Sequence, residues 1–203
     1  MPSLRLLAAS IATSSVLLAP TAAHAERLVT EDAVGDAQSI RSDAEEEIFD
    51  PAPEHTAADI TRTVVVHGAR RVRVQVRYRD LERTSPRAAY VKLRTPGRRF
   101  DLRTSRNAPG AGTWLTRGQR EDDVHCPGLR SSVDGARDQL TVTVPSACLG
   151  RPAWVQVGVL SVVAEADAGS GLDEPHLAYV DDAHMVGGFE DHSVRLGPKV
   201  FPG

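Results

Sequence analysis

The sequence predicts an all-β protein: one antiparallel β-sandwich, jelly-roll-like, with few or no helices beyond residue 25. Three observations carry this. In RRVRVQVRYRD at 70–80, Val72, Val74, Val76 and Tyr78 alternate with Arg71, Arg73, Gln75, Arg77 and Arg79, the period of a strand with one face in a core and one in water. Turn signals such as Pro96-Gly97 and VDGARD at 133–138 punctuate the chain at short intervals, as they do in sandwiches. No stretch past residue 25 keeps a helical period over three turns.

Residues 1–25, MPSLRLLAASIATSSVLLAPTAAHA, join an early Arg5 to an apolar centre and end on Ala23-His24-Ala25. That is the layout of a secretory signal peptide cleaved after Ala25. Ser10, Thr13, Ser14 and Ser15 interrupt the apolar stretch, which falls short of the ~20 apolar residues of a membrane span. Residues 26–203 are then expected as one secreted, extracellular domain with one core. A formal charge of −3 gives no bulk attraction to nucleic acid or to an anionic membrane. Among 24 basic side chains only Lys92 and Lys199 are lysine, a bias that suits a GC-rich bacterial genome. An arginine here is therefore not by itself a binding residue.

The first strand is expected to end at EDAVGDA, 31–37. The stretch 38–57, acidic and proline-bearing around 40–57, reads as a long surface loop, with IRSDAEEEI at 40–48 a candidate helical turn. DITRTVVVHG, rich in β-branched residues, should pair with 71–79 through the short link Gly68-Ala69-Arg70. AAYVKLRT turns Ala89, Val91 and Leu93 inward, RRFDLRTS turns Phe100 and Leu102 inward, and Pro96-Gly97 joins the two. TWLTRG and QLTVTVPS are further strands. AWVQVGVLSVV, apolar on both sides, is expected at the centre of a sheet. Cys126 and Cys148 flank VDGARD almost symmetrically; in an oxidising compartment they should form a disulfide bond across the open end of a 129–133/139–144 hairpin. Such a bridge constrains the unfolded chain by about 3 kcal/mol.

Catalytic signatures are absent from the sequence: there is no G-x-S-x-G, HExxH, P-loop or dinucleotide fingerprint. His176, His184 and His192 recur every eight residues near Asp181 and Asp182, which leaves a metal-assisted hydrolase as one reading. Trp114, beside the glycine-rich GAGTWLTRG, is a candidate ring for stacking on a sugar. Arg73 and Arg77 could bind carboxylated or sulfated polymers through paired N–H donors. The third feature is carboxylate. Asp32 and Asp36 bracket Gly35 in a turn that can aim both at one centre; Asp59 opens the next strand and Asp182 ends a late one. Calcium takes six to eight oxygens of this kind, while aspartates also begin turns by bonding their own backbone. Both readings stand at this level.

The D-x-x-G-D segment at 32–36, the following ADI at 58–60 with its arginine- and valine-rich hairpin, and YVDDAH at 179–184 resemble small secreted actinobacterial β-sandwich proteins. More distantly they resemble the DOMON-like and family-9 carbohydrate-binding-like modules. The resemblance implies a jelly-roll-like sandwich, structural calcium and, in some relatives, binding of sugar or haem. The chain departs from those binders in having two tryptophans and, beyond Met1, the single methionine Met185. The function expected is a non-enzymatic binding or accessory module for extracellular or cell-wall polysaccharide. The alternatives are the hydrolase above and a protein-binding, inhibitor-like envelope protein using the acidic segment.

Overall fold

The structure is a computed structural model that describes residues 26–42, 47–81, 86–108, 110–118, 122–164, 176–185 and 193–203, without the side chains of Ser42, Glu47 and His176. The signal-like segment 1–25 lies outside the described residues. Among the described residues the regular elements are all strands, arranged as two antiparallel sheets.

The smaller sheet has five strands: β1 (Glu26–Glu31), β4 (Ile60–His67), β5 (Arg71–Tyr78), β11 (Gln139–Pro145) and β10 (Arg130–Asp134), in that spatial order. The larger has eight: β3 (Glu47–Pro51), β2 (Gln38–Ser42), β13 (His176–Asp182), β12 (Gln156–Ala164), β6 (Arg87–Thr95), β7 (Arg98–Arg106), β8 (Gly112–Arg117) and β9 (Asp122–Asp123). Alternation decides what each strand buries. Val72, Val74 and Val76 of β5 are fully buried, and they share one core with Val91, Phe100, Leu102 and Val159 from the larger sheet. The two inner faces therefore pack on each other, as in a sandwich.

The hairpins read from sequence are present. β4 pairs with β5 across Gly68-Ala69-Arg70, and β6 with β7 across Pro96-Gly97. β10 pairs with β11, and a disulfide joins Cys126 to Cys148 with their Cα atoms 5.5 Å apart. The central position of β12, between β13 and β6, explains its apolar residues on both sides. Its outward side is covered by the C-terminal segment 193–200, held by paired bonds between Val155 and Val200 at 2.8 and 2.9 Å. Gly158 makes that contact feasible, since a Cβ there would lie 2.2 Å from the Arg195 carbonyl oxygen.

The stretch 38–57 corrects the sequence reading. Instead of one long loop with a helical turn at 40–48, residues 38–42 and 47–51 are the antiparallel strands β2 and β3. Ile40 lies opposite Phe49, both packed with Val180 and Met185, and Arg41 pairs with Asp50 at 2.8 Å. Ile40 is the lone apolar side chain among the polar residues of β2, and Ile48 and Phe49 of β3 are adjacent, so neither strand shows a period of two.

Candidate metal centre and open sheet face

Carboxylates gather where the two sheets meet beside the N-terminal strand. Asp32 and Asp36 lie on the turn after β1, Asp59 directly precedes β4, and Asp181 is the last residue but one of β13. Gly35 takes φ +82° in that turn, a conformation glycine adopts without steric cost. Its N–H donates to Asp59 Oδ2 at 2.8 Å, which docks the turn on the start of β4. Asp181 is reached through pairing. Its partner on β12 is Ser161, a buried residue on the same side of the strand as Val159 and Val163, so its carboxylate faces the interior. There Oδ2 accepts from the Ile60 N–H at 2.6 Å.

Ligand-type oxygens of Asp36, Asp59 and Asp181 lie within 4.8 Å of one another. Oxygens at about 2.3–2.6 Å from a shared calcium cannot be more than ~5 Å apart, so the spacing is that of one coordination shell. Among the described residues three buried oxygens here have no hydrogen-bond partner: Asp32 Oδ2, Asp36 Oδ1 and Asp59 Oδ1. The neighbouring cation, Arg79, reaches Asp59 Oδ2 at 3.5 Å from a partly exposed position. Buried charge is ordinarily paired or bound to metal; among the described residues no ion pair engages Asp32 or Asp36.

The electrostatic result is a shift toward protonation. Burial first, then the charges of Asp36, Asp182 and Asp59, push Asp32 up to about 7. Burial first, then Asp32, Asp36 and Asp59, push Asp181 up to about 9, against the opposing Ile60 hydrogen bond. Asp36 rises too, through burial and Asp59. A divalent cation would supply the missing positive charge and release these protons.

Asp182 occupies a different place from the one its sequence position suggested. Successive strand residues point to opposite faces. Asp182 Oδ1 accepts from the His184 N–H at 3.0 Å and Oδ2 from the Arg195 N–H at 2.9 Å. Its carboxylate fastens the C-terminal segment, and Asp181 takes its place among the clustered ligand atoms. Of the residues the sequence suggested, Asp36 and Asp59 have ligand-type oxygens in that trio, while Asp32 lies outside it but near enough for its charge to act on Asp181. His184 is half-buried next to Gly197, and burial lowers its pKa. The His176 side chain and His192 lie outside the described residues. Met185 is buried against Val180.

The weaker candidates separate. Arg73 and Arg77 alternate with the buried Val72, Val74 and Val76, so they stand on the outer face of the smaller sheet. Trp114, 41% exposed, alternates with buried Leu115 on the outer face of the larger sheet. The two faces are on opposite sides of the sandwich, and these residues do not form one site. Trp114 keeps other company. Register places Tyr90, Arg103 and Trp114 in one cross-strand row and Lys92, Asp101, Thr116 and Asp123 in the next. The Arg103 guanidinium lies 5.6 Å from the centre of the Tyr90 ring. Both rows line a recess of about 430 Å³. Sequence reasoning passed over Tyr90, Lys92 and Arg103, though the inward setting of Val91 and Leu102 already implied their outward one.

No family model, curated protein or solved structure matches this chain.

Proposed function

We propose that this protein is an exported, non-enzymatic β-sandwich that holds one structural calcium ion and binds carbohydrate outside the cell. The observation that carries the reading is the set of three buried carboxylate oxygens without partners, beside a trio whose ligand atoms lie within 4.8 Å of one another. Asp36, Asp59 and Asp181 would ligate the ion, and Asp32 adds its charge beside them. All-oxygen, carboxylate-rich donors suit a hard cation, and extracellular calcium modules work with affinities of ~0.1–1 mM. Bound there, the ion would join the turn after β1, the start of β4 and the end of β13, clipping one sheet to the other. A near-terminal strand otherwise prone to fray would be fixed by it.

Export rests on the signal-like residues 1–25. Carbohydrate as ligand is supported by the exposed Trp114 ring within a recess that also presents charged and hydroxyl groups. Few, oriented polar groups around an apolar surface are what a small-molecule or oligomer site offers. Equilibrium dialysis tests the metal: one calcium per chain is expected, and none in Asp36→Ala/Asp59→Ala. A glycan array tests the ligand, with retention lost in Trp114→Ala. Wild-type protein that retains no glycan would remove the carbohydrate half of the reading and leave the metal half standing.

A further inference from the structure

The tip of the β6–β7 hairpin gathers positive charge that the fold does not use. Arg94, Arg98, Arg99 and Arg117 are all exposed and, with Thr95 and Gly97, line one cavity of about 620 Å³. Ion pairs among the described residues engage Arg41, Arg62, Arg79 and Arg137, and none of these four. Arg94 and Arg99 are direct cross-strand partners, an arrangement that costs stability when the charges are alike. Among the described residues no carboxylate lines the cavity to offset it. The surrounding space is open: a Cβ at Gly97 or Gly118 would meet nothing within 4 Å. In a chain of net charge −3, this concentration is local rather than a bulk property.

The cavity is continuous with the tryptophan-bearing face. A recess that shares Arg94, Arg99 and Gly118 with it extends over Lys92 and Asp101, and those two residues also line the recess that holds Trp114. From the Tyr90 row to the Arg94 row is four residues of strand, about 13 Å. That is the length of a short oligomer rather than one sugar.

We propose that this groove binds an anionic polysaccharide, with a carboxylate or phosphate of the polymer held by Arg94, Arg98, Arg99 and Arg117 and a neighbouring ring laid toward Trp114. The inference rests on the carbohydrate reading above and adds the charge of the ligand and the residues that select it. Guanidinium forks match the planar carboxylate and the phosphate oxygens in pairs of hydrogen bonds, which gives selection as well as attraction.

The test uses calcium-loaded protein and follows tryptophan fluorescence during titration with hyaluronan oligosaccharides, their carboxyl-reduced neutral form, poly(N-acetylglucosamine 1-phosphate), inorganic phosphate and a single-stranded oligodeoxynucleotide. At least one anionic polymer should bind, the neutral form roughly tenfold more weakly or worse. Whether hyaluronan or poly(N-acetylglucosamine 1-phosphate) binds tighter identifies the acid group. Arg94→Gln/Arg99→Gln should lower affinity about tenfold or more, whereas Arg73→Gln/Arg77→Gln, the same charge change on the opposite face, should leave it within about twofold. Equal losses in the two double variants would reduce the effect to net charge and overturn the proposal. So would tighter binding of the oligodeoxynucleotide, or binding of inorganic phosphate alone. Binding of the neutral form that depends on Trp114 but not on Arg94 and Arg99 would overturn it while sparing the carbohydrate reading. No binding to any of these polymers would overturn it and leave the carbohydrate reading to the glycan array.

Discussion

Aspartates in this fold are asked to stay ionised where burial opposes it. Folded, Asp32 and Asp181 hold protons up to about 7 and about 9, against an ordinary value of 3.8. A carboxyl whose folded pKa is raised stabilises the protein fully below its unfolded pKa, and that contribution is lost as pH rises through the folded value. Metal-free protein should therefore melt progressively lower from about pH 5 to about pH 9, and saturating calcium, which binds the ionised form, should flatten the decline. Melting in a chelator across that range checks this; a flat or rising profile would contradict it. Much of this site was legible beforehand. The acid–glycine–acid turn at Asp32 and Asp36 and the aspartate opening β4 both pointed to it. The choice between Asp181 and Asp182 was not, because the phase of β13 is fixed by its pairing with β12, and two adjacent aspartates look alike until that register is known.

Strands obey the same logic of faces. Val74 is fully buried and Arg73 stands outward beside it. Val74→Asp should cost several kcal/mol, about 3 or more, and prevent folding, whereas Arg73→Asp should change stability by less than ~1 kcal/mol. Chemical denaturation of the pair measures it, and equal effects would refute the assigned face. Gly158 offers a subtler case. A methyl group there meets the Arg195 carbonyl at 2.2 Å and Val194 Cγ1 at 2.9 Å, so Gly158→Ala should cost about 1–3 kcal/mol and loosen the segment 193–200 from β12. Limited proteolysis should then cut the C-terminal segment faster than in the wild type; unchanged cleavage would mean the segment yields without cost. Alternation made β5, β6, β7 and the inner side of β12 readable from sequence, and turn chemistry made their hairpins readable. β2 and β3 escaped because a lone Ile40 in one and the adjacent Ile48 and Phe49 in the other give no period of two to detect. The covering of β12 escaped because an extended tail without repeating pattern carries no local signal of where it docks.

As a whole the molecule is a sandwich whose class follows from patterning, while its strand order follows from long-range pairing. β2 and β3 follow β1 in the chain yet join the other sheet, beside β13. Nothing local specifies such a crossing. Asp32, Asp36, Asp59 and Asp181 lie where it happens, between a turn leaving the smaller sheet and a strand of the larger one. On the proposed reading their mutual repulsion would be the cost of a site that a cation completes, a trade of stability for function common at binding sites. Calcium at 10 mM acting on a site of ~0.1–1 mM affinity should add about 1.4–2.7 kcal/mol, a rise in melting temperature of roughly 3–10 °C for a domain of this size. Asp32→Asn/Asp36→Asn removes two buried charges, so without calcium it should melt above the wild type near pH 8, and calcium should no longer move it. The most direct measurement is this four-way melt, wild type and double variant, each in calcium and in chelator. A calcium-dependent rise confined to the wild type, with the variant the more stable of the two in chelator, is the result predicted. A wild-type melting temperature that calcium leaves unchanged would contradict it, and Asp32, Asp36, Asp59 and Asp181 would then be carboxyls kept neutral by burial.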